Sequence, residues 1–181
     1  MGIAEEPEAV NLICAVLAAR EPWLAAARER LERTFGPIDL ESDVWPFDFT
    51  EYYAEEMGHP LLRRIYSFQD LVRPENLVAA KHTNNRLEKE LARELDGAPA
   101  RPVNLDPGYV SLGKLVLATT KDHAHRLYLG SGIYGEVTLN WHGGDFEPHD
   151  WTYPDYRTEH YREFFRQVRR LYHDKLEDPR E

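Results

Sequence analysis

The segment Val10-Asn11-Leu12-Ile13-Cys14-Ala15-Val16-Leu17 is an apolar run interrupted by one amide. It is too short to cross a bilayer, and Glu5, Glu6 and Glu8 precede it where a signal peptide or anchor would carry basic residues. The run therefore reads as a buried strand, and the rest of the chain must supply its neighbours. With 181 residues, one domain spanning 1–181 with one core is expected. An aromatic content of 12% sets the chain apart from disordered sequences, which lack the rings needed to build a core.

The elements that follow can be placed by pattern. Glu21-Pro22-Trp23 opens a helix, because proline suits a first turn, and Gly36-Pro37 closes it. Ile38 to Trp45 alternates as a half-exposed strand, and Leu61 to Leu71 reads as another. Pro74 opens a long helix through Leu95, with Leu77, Ala80, Leu87, Leu91 and Leu95 as its apolar stripe. From Arg101 to Trp141, short β-like runs alternate with turn signals at Asp106-Pro107-Gly108, Lys121-Asp122-His123, Gly130-Ser131-Gly132 and His142-Gly143-Gly144, which predicts an antiparallel meander. Asp155 to Leu176 forms the last helix. The expected class is α+β, a single domain with a mostly antiparallel or mixed sheet and three main helices. Its first five elements, βαββα, suit a ferredoxin-like core extended by the meander.

Charge and cysteine content bound the function. With 32 acidic and 22 basic residues the net charge is −10 and the pI about 5.3, so the chain has no general attraction for duplex nucleic acid or an anionic membrane. The arginine face of the last helix, Arg162 to Arg170, leaves contact with RNA open. Cys14 is the only cysteine, which excludes an intrachain disulfide and a multi-cysteine zinc site and fits a reducing cytoplasm. Residues 37–60 hold seven acids and no Lys or Arg. Glu55 and Glu56 are the candidate ligands there for a divalent cation such as Mg²⁺, which prefers oxygen donors. The competing explanation is a solvated strand face followed by an acidic helix start, where Glu51 and Glu55 each gain a few tenths to about 1 kcal/mol from the helix dipole.

Two further constellations carry chemistry. Lys81, Asn85 and Glu88 fall along one line of the long helix, either facing a site or forming an exposed polar row. Asn84 sits on the leucine stripe and needs a partner, most simply backbone, because a buried bare amide costs on the order of 1–3 kcal/mol. The meander gathers Arg101, Asn104, Asp106, Lys114, Thr119, Thr120, Lys121, His123, His125, Arg126, Tyr128 and Glu136. Read as a site, it would bind a small anionic metabolite, phosphorylated, nucleotide or carboxylate. Lys81, Arg101, Lys114, Thr119, Lys121, Arg126 and Tyr128 would hold the ligand, with Asp106 orienting and His125 carrying the proton. Such a protein is an enzyme or a binding protein. The alternative is a polar sheet face on a non-catalytic adaptor that recognises a protein partner.

Near matches to known motifs fail on context. Gly130 to Val137 spells the kinase glycine loop, yet no lysine occurs between Lys121 and Lys175, so a hairpin turn is expected instead. His123 with His125, or His142 with Asp145 and His149, lack the spacing of a zinc motif.

Several segments together resemble one family. They are Phe49-Thr50-x-Tyr52-Tyr53-x-x-Glu56-Met57-Gly58, Asn104 to Tyr109, Lys114 to Lys121, His125-Arg126-x-Tyr128-Leu129, Gly132-Ile133-Tyr134 and Trp151-Thr152-Tyr153-Pro154-Asp155-Tyr156. The chain resembles the bacterial family catalogued as domain of unknown function 4416 over nearly its whole length. The resemblance implies a bacterial cytoplasmic protein and assigns no activity or catalytic residue.

Overall fold

The computed structural model describes residues 2–50 and 53–177. Glu51, expected at a helix start, and Tyr52 lie outside the described residues. The chain runs β1 (Val10–Ala18), α1 (Glu21–Phe35), β2 (Ile38–Glu41), β3 (Trp45–Phe47), α2 (Ala54–Met57), β4 (Leu61–Val72), α3 (Asn76–Glu94), β5 (Val103–Val110), β6 (Lys114–Thr119), β7 (Leu127–Gly130), β8 (Ile133–His142), β9 (Asp145–Pro148) and α4 (Glu159–Glu177), with a 3-10 turn at Asp155–Arg157. This is an α+β chain with one antiparallel sheet of nine strands in the order β2-β4-β1-β5-β6-β8-β7, β3 pairing with β4 and β9 with β8.

All nine residues of β1 are buried, because β1 is flanked by β4 and β5 and covered on both faces. Leu12, Cys14, Val16 and Ala18 pack toward α1 and α3. Ile13 and Ala15 pack toward Tyr161, Phe164, Phe165 and Val168 of α4. Leu12, Ile13 and Val16 each contribute about 1.5–3 kcal/mol when fully withdrawn from water, so the central run anchors two cores at once. Asn11, its one polar member, donates to the Ser67 hydroxyl at 2.9 Å and accepts from Lys175.

Several expectations change in detail. The single strand expected over 38–45 is two strands, because the buried Ser42 hydroxyl accepts from the Ile65 N–H at 3.0 Å, pinning the chain to β4 between them. The last helix begins at Glu159, after the 3-10 turn, and a fourth, one-turn helix, α2, precedes β4. β1, α1, β2, β4 and α3 follow one another in the expected βαββα order, with β3 and α2 inserted before β4, and the sheet continues through β5, β6, β8 and β7. The glycine-loop look-alike is a tight turn between β7 and β8, with Ser131 at φ 50° and Gly132 at φ 77°.

Asp106-Pro107-Gly108, expected as a turn, lies inside β5. β5 pairs with β6 only from Gly108 to Val110, opposite Leu117 to Leu115, whereas β1 pairs with β5 along its full length. Pro107 has no N–H to offer, and it stands where β5 has already lost β6 as a neighbour. At Gly108 the two strands converge so closely that a Cβ would sit 2.5 Å from the Val116 carbonyl oxygen. The sheet is therefore split on one side of that crossing.

Candidate functional site

The split opens into a cavity of about 470 Å³. Residues paired directly across antiparallel strands point to the same face, so the registers Arg63↔Leu17↔Asn104, Ala15↔Asp106 and Gly108↔Leu117↔Glu136 carry Arg63, Asn104, Asp106, Leu117 and Glu136 onto the face that α4 covers. They form the floor. Phe47, Phe49, Thr50 and Tyr53 on one side and Tyr153 to Tyr156 on the other form the walls.

Lys81 projects from α3, on the opposite face of the sheet, and reaches the cavity through the gap between β5 and β6. Its Nζ lies 3.0 Å from Asp106 Oδ1 and 3.3 Å from the Leu105 carbonyl. Asn104 donates to the other Asp106 oxygen and accepts from Arg101. Burial alone would raise the Asp106 carboxyl. The nearby Lys81 and Arg63 charges and the two side-chain hydrogen bonds overcome that and hold it below the usual carboxylate range. For Lys81, burial disfavours the charge, but Asp106 and Glu88 outweigh it and raise the amine. Both are ionised at neutral pH. Glu88 shows the opposite balance: burial raises it despite the Leu105 N–H donating at 2.6 Å and Arg101 at 3.4 Å.

Arg63 is 4% exposed and faces Asp155 at 3.3 Å, with its guanidinium 4.8 Å above the Phe47 ring. Its Nε and Nη1 have no hydrogen-bond partner. The neighbouring Tyr161 hydroxyl, also without one, can satisfy at most one of them. Burial raises the Asp155 carboxyl against the pull of Arg63. Burial likewise pushes Tyr53 up to about 12, so its hydroxyl stays protonated.

Five expected residues, Lys81, Arg101, Asp106, Thr119 and Lys121, line the cavity together. His125 and Arg126 sit behind Glu136, each 2.9 Å from its Oε2, and are not part of the lining. The segment carrying them is not extended, since the Arg126 N–H bonds the His123 carbonyl in a turn, and the His125 ring stacks on Trp151 at 5.3 Å. Lys114 starts β6 at the end away from the cavity, and Tyr128 is exposed on β7, against Tyr134. Glu56 pairs with Arg101 at 3.4 Å, and among the described residues neither it nor Glu55 belongs to a cluster of three or more metal-ligating side chains. Among the described residues such a group is formed by His173, Asp174 and Glu177, all exposed on α4. Asn84 is fully buried and donates to Cys14 Sγ at 3.2 Å and the Leu105 carbonyl at 3.5 Å, a partner set that is only partly backbone. On the arginine face of α4, Arg162 and Arg166 are bound by Asp145 and Glu159.

Arg63 and Asp155 are functional candidates that pattern alone passes over. The signal was present, because adjacent Arg63 and Arg64 in an alternating strand cannot both face water when that strand is covered on two sides.

The segments that line the cavity are largely those that carry the family resemblance: Phe49, Thr50 and Tyr53, Asn104 and Asp106, Leu117 to Lys121, and Tyr153 to Tyr156. A family model described as "Domain of unknown function (DUF4416)" matches residues 8–172. The chain belongs to this family. No curated protein and no solved structure matches it significantly. The DUF4416 match extends from just before β1 into α4, and so takes in the whole sheet and both cavity walls.

Proposed function

We propose that the protein binds a small anionic metabolite in the cavity between β4, β5 and β6. The observation that carries this reading is Arg63, a buried guanidinium lining the cavity with N–H groups left unpartnered. A buried donor without a partner costs about 1–3 kcal/mol, and an anion entering the cavity would recover that cost in charge-assisted hydrogen bonds. Lys81, Arg101 and Lys121 add positive charge, against Asp106, Glu136 and Asp155 in the same lining. Catalysis by His125 finds less support, because Glu136 stands between that ring and the cavity. The reading includes a reducing, cytoplasmic setting, supported by the single cysteine, Cys14, which is free and buried. A second reading, a surface for a protein partner, rests on Leu127, Tyr128 and Leu129, which are 74%, 62% and 44% exposed on the edge strand β7.

Thermal denaturation of the full chain with inorganic phosphate, pyrophosphate, ribose phosphate and dicarboxylates separates the two. A ligand at 100 times its Kd stabilises by about 2.7 kcal/mol, roughly 5–11 °C for a chain of this size. Lys121→Met and Arg101→Gln, both on accessible side chains, should abolish the shift. No anion exceeding a chloride control of matched ionic strength, or a shift unchanged in both variants, would overturn the anion site.

A further inference from the structure

The cavity is polar at depth and aromatic at its mouth. Arg63 and Lys81 are 4% and 5% exposed. Phe49 and Tyr53 are partly exposed in one wall and Tyr153 is 45% exposed in the other. Arg63 covers one face of Phe47, against which Phe49 and Tyr53 pack edge-on, and Arg101 lies over one face of Tyr53 at 5.8 Å, so each of these two rings has one face left for other contacts. The Tyr153 hydroxyl accepts from Arg126 Nη2 at 2.7 Å, which fixes the ring, so that it offers a ligand its face as well as its own hydroxyl proton. A single phosphate ion would leave most of about 470 Å³ unfilled, in a range that suits drug-sized molecules. Asp106, with 29% of its side chain accessible, can accept a hydrogen bond from a hydroxyl or N–H between the two ends.

Resting on the anion-binding reading, we infer that the ligand joins its anionic group to a planar aromatic ring, the anion toward Arg63 and the ring against Phe49, Tyr53 and Tyr153 at the mouth. A nucleoside monophosphate and an aromatic carboxylate share this chemistry. In both, stacking on side-chain rings supplies affinity that a bare anion cannot obtain.

The test is calorimetric titration of the full chain with four probes: adenosine monophosphate, ribose phosphate, 4-hydroxyphenylacetate and acetate. The expected result is that a ring-bearing probe binds at least about tenfold more tightly than its ring-less counterpart. Phe49→Leu and Tyr153→Leu, which remove ring faces from accessible positions, should close that gap without weakening the ring-less probe. The phosphate and carboxylate arms identify the source of the anion. Equal affinity for ring-bearing and ring-less probes, or a gap that survives both substitutions, overturns the inference while the anion site stands. Failure of all four probes, with inorganic phosphate and pyrophosphate also inert, removes the anion site and the inference with it.

Discussion

Arg63→Met is the sharpest probe of how the site is held. Removing one partner of a buried ion pair ordinarily costs about 3–5 kcal/mol, because the other charge is left uncompensated. Two features of this pair reduce that figure. Arg63 makes one contact with Asp155, at 3.3 Å, and its Nε and Nη1 are unpartnered, so the substitution also relieves donors that were costing stability. Asp155 can shed its charge by taking a proton, since burial already raises it. We expect a loss of about 2–3 kcal/mol at neutral pH, or roughly 4–12 °C in Tm.

The pH dependence has a definite sign. A carboxyl whose folded value lies above its unfolded one binds more protons in the folded state, so stability falls as pH rises through that interval. Without Arg63 the folded value rises further and the interval widens, so the deficit of Arg63→Met against the parent should shrink from pH 7 toward about pH 5. The double substitution Arg63→Met with Asp155→Asn removes both charges and keeps a side-chain oxygen to accept from the Tyr156 N–H, which now bonds Asp155. It should return to within about 1–2 kcal/mol of the parent. Urea denaturation at the two pH values measures all of this. Additive losses in the double variant, or a deficit that does not change with pH, would show that the two side chains do not act as a buried pair.

Gly108→Ala should destabilise by more than about 2 kcal/mol in urea, because its Cβ would meet backbone at 2.5 Å and the Leu117 side chain at 2.7 Å; a loss under about 1 kcal/mol would mean the strands can part there cheaply. The Cys14 thiol, raised by burial and by the Asp106 charge, should resist iodoacetamide in the native chain and react once denatured, and rapid native labelling would contradict the packing described for β1.

The strands and helices were legible where one local rule dominated. The apolar run of β1, the proline start and glycine stop of α1, and the aromatic stripe of α4 each depend on residues close in sequence. The site was legible by residue type more than by position. Lys81 and Asp106 are 25 residues apart in the chain, and their contact depends on a break between β5 and β6 that no periodicity encodes. His125 lies behind Glu136 and outside the cavity lining because its segment turns between His123 and Arg126, which sets the ring beside His123 and stacks it on Trp151. Asp106-Pro107-Gly108 misled as a turn signal. Aspartate, proline and glycine mark turns because of their backbone preferences, and the same preferences serve at the edge of a gap in a sheet.

That gap explains why the site lies where it does. An unbroken antiparallel sheet would bar the α3 face from the α4 face, and a lysine on α3 could then pair only on its own side. With β6 diverging at Gly108, Lys81 passes through the opening to an aspartate on the far face and fills with charge what would otherwise be a hole between two apolar cores. The divergence also spares Pro107 a ladder partner on its β6 side and leaves Asn104 and Asp106 room to turn their polar groups into the cavity. The backbone irregularity, the buried ion pair and the cavity are thus one structural event. A substitution that let β5 and β6 pair along their whole length would have to expel Lys81, and with it the larger of the two charge interactions that hold the Asp106 carboxyl down.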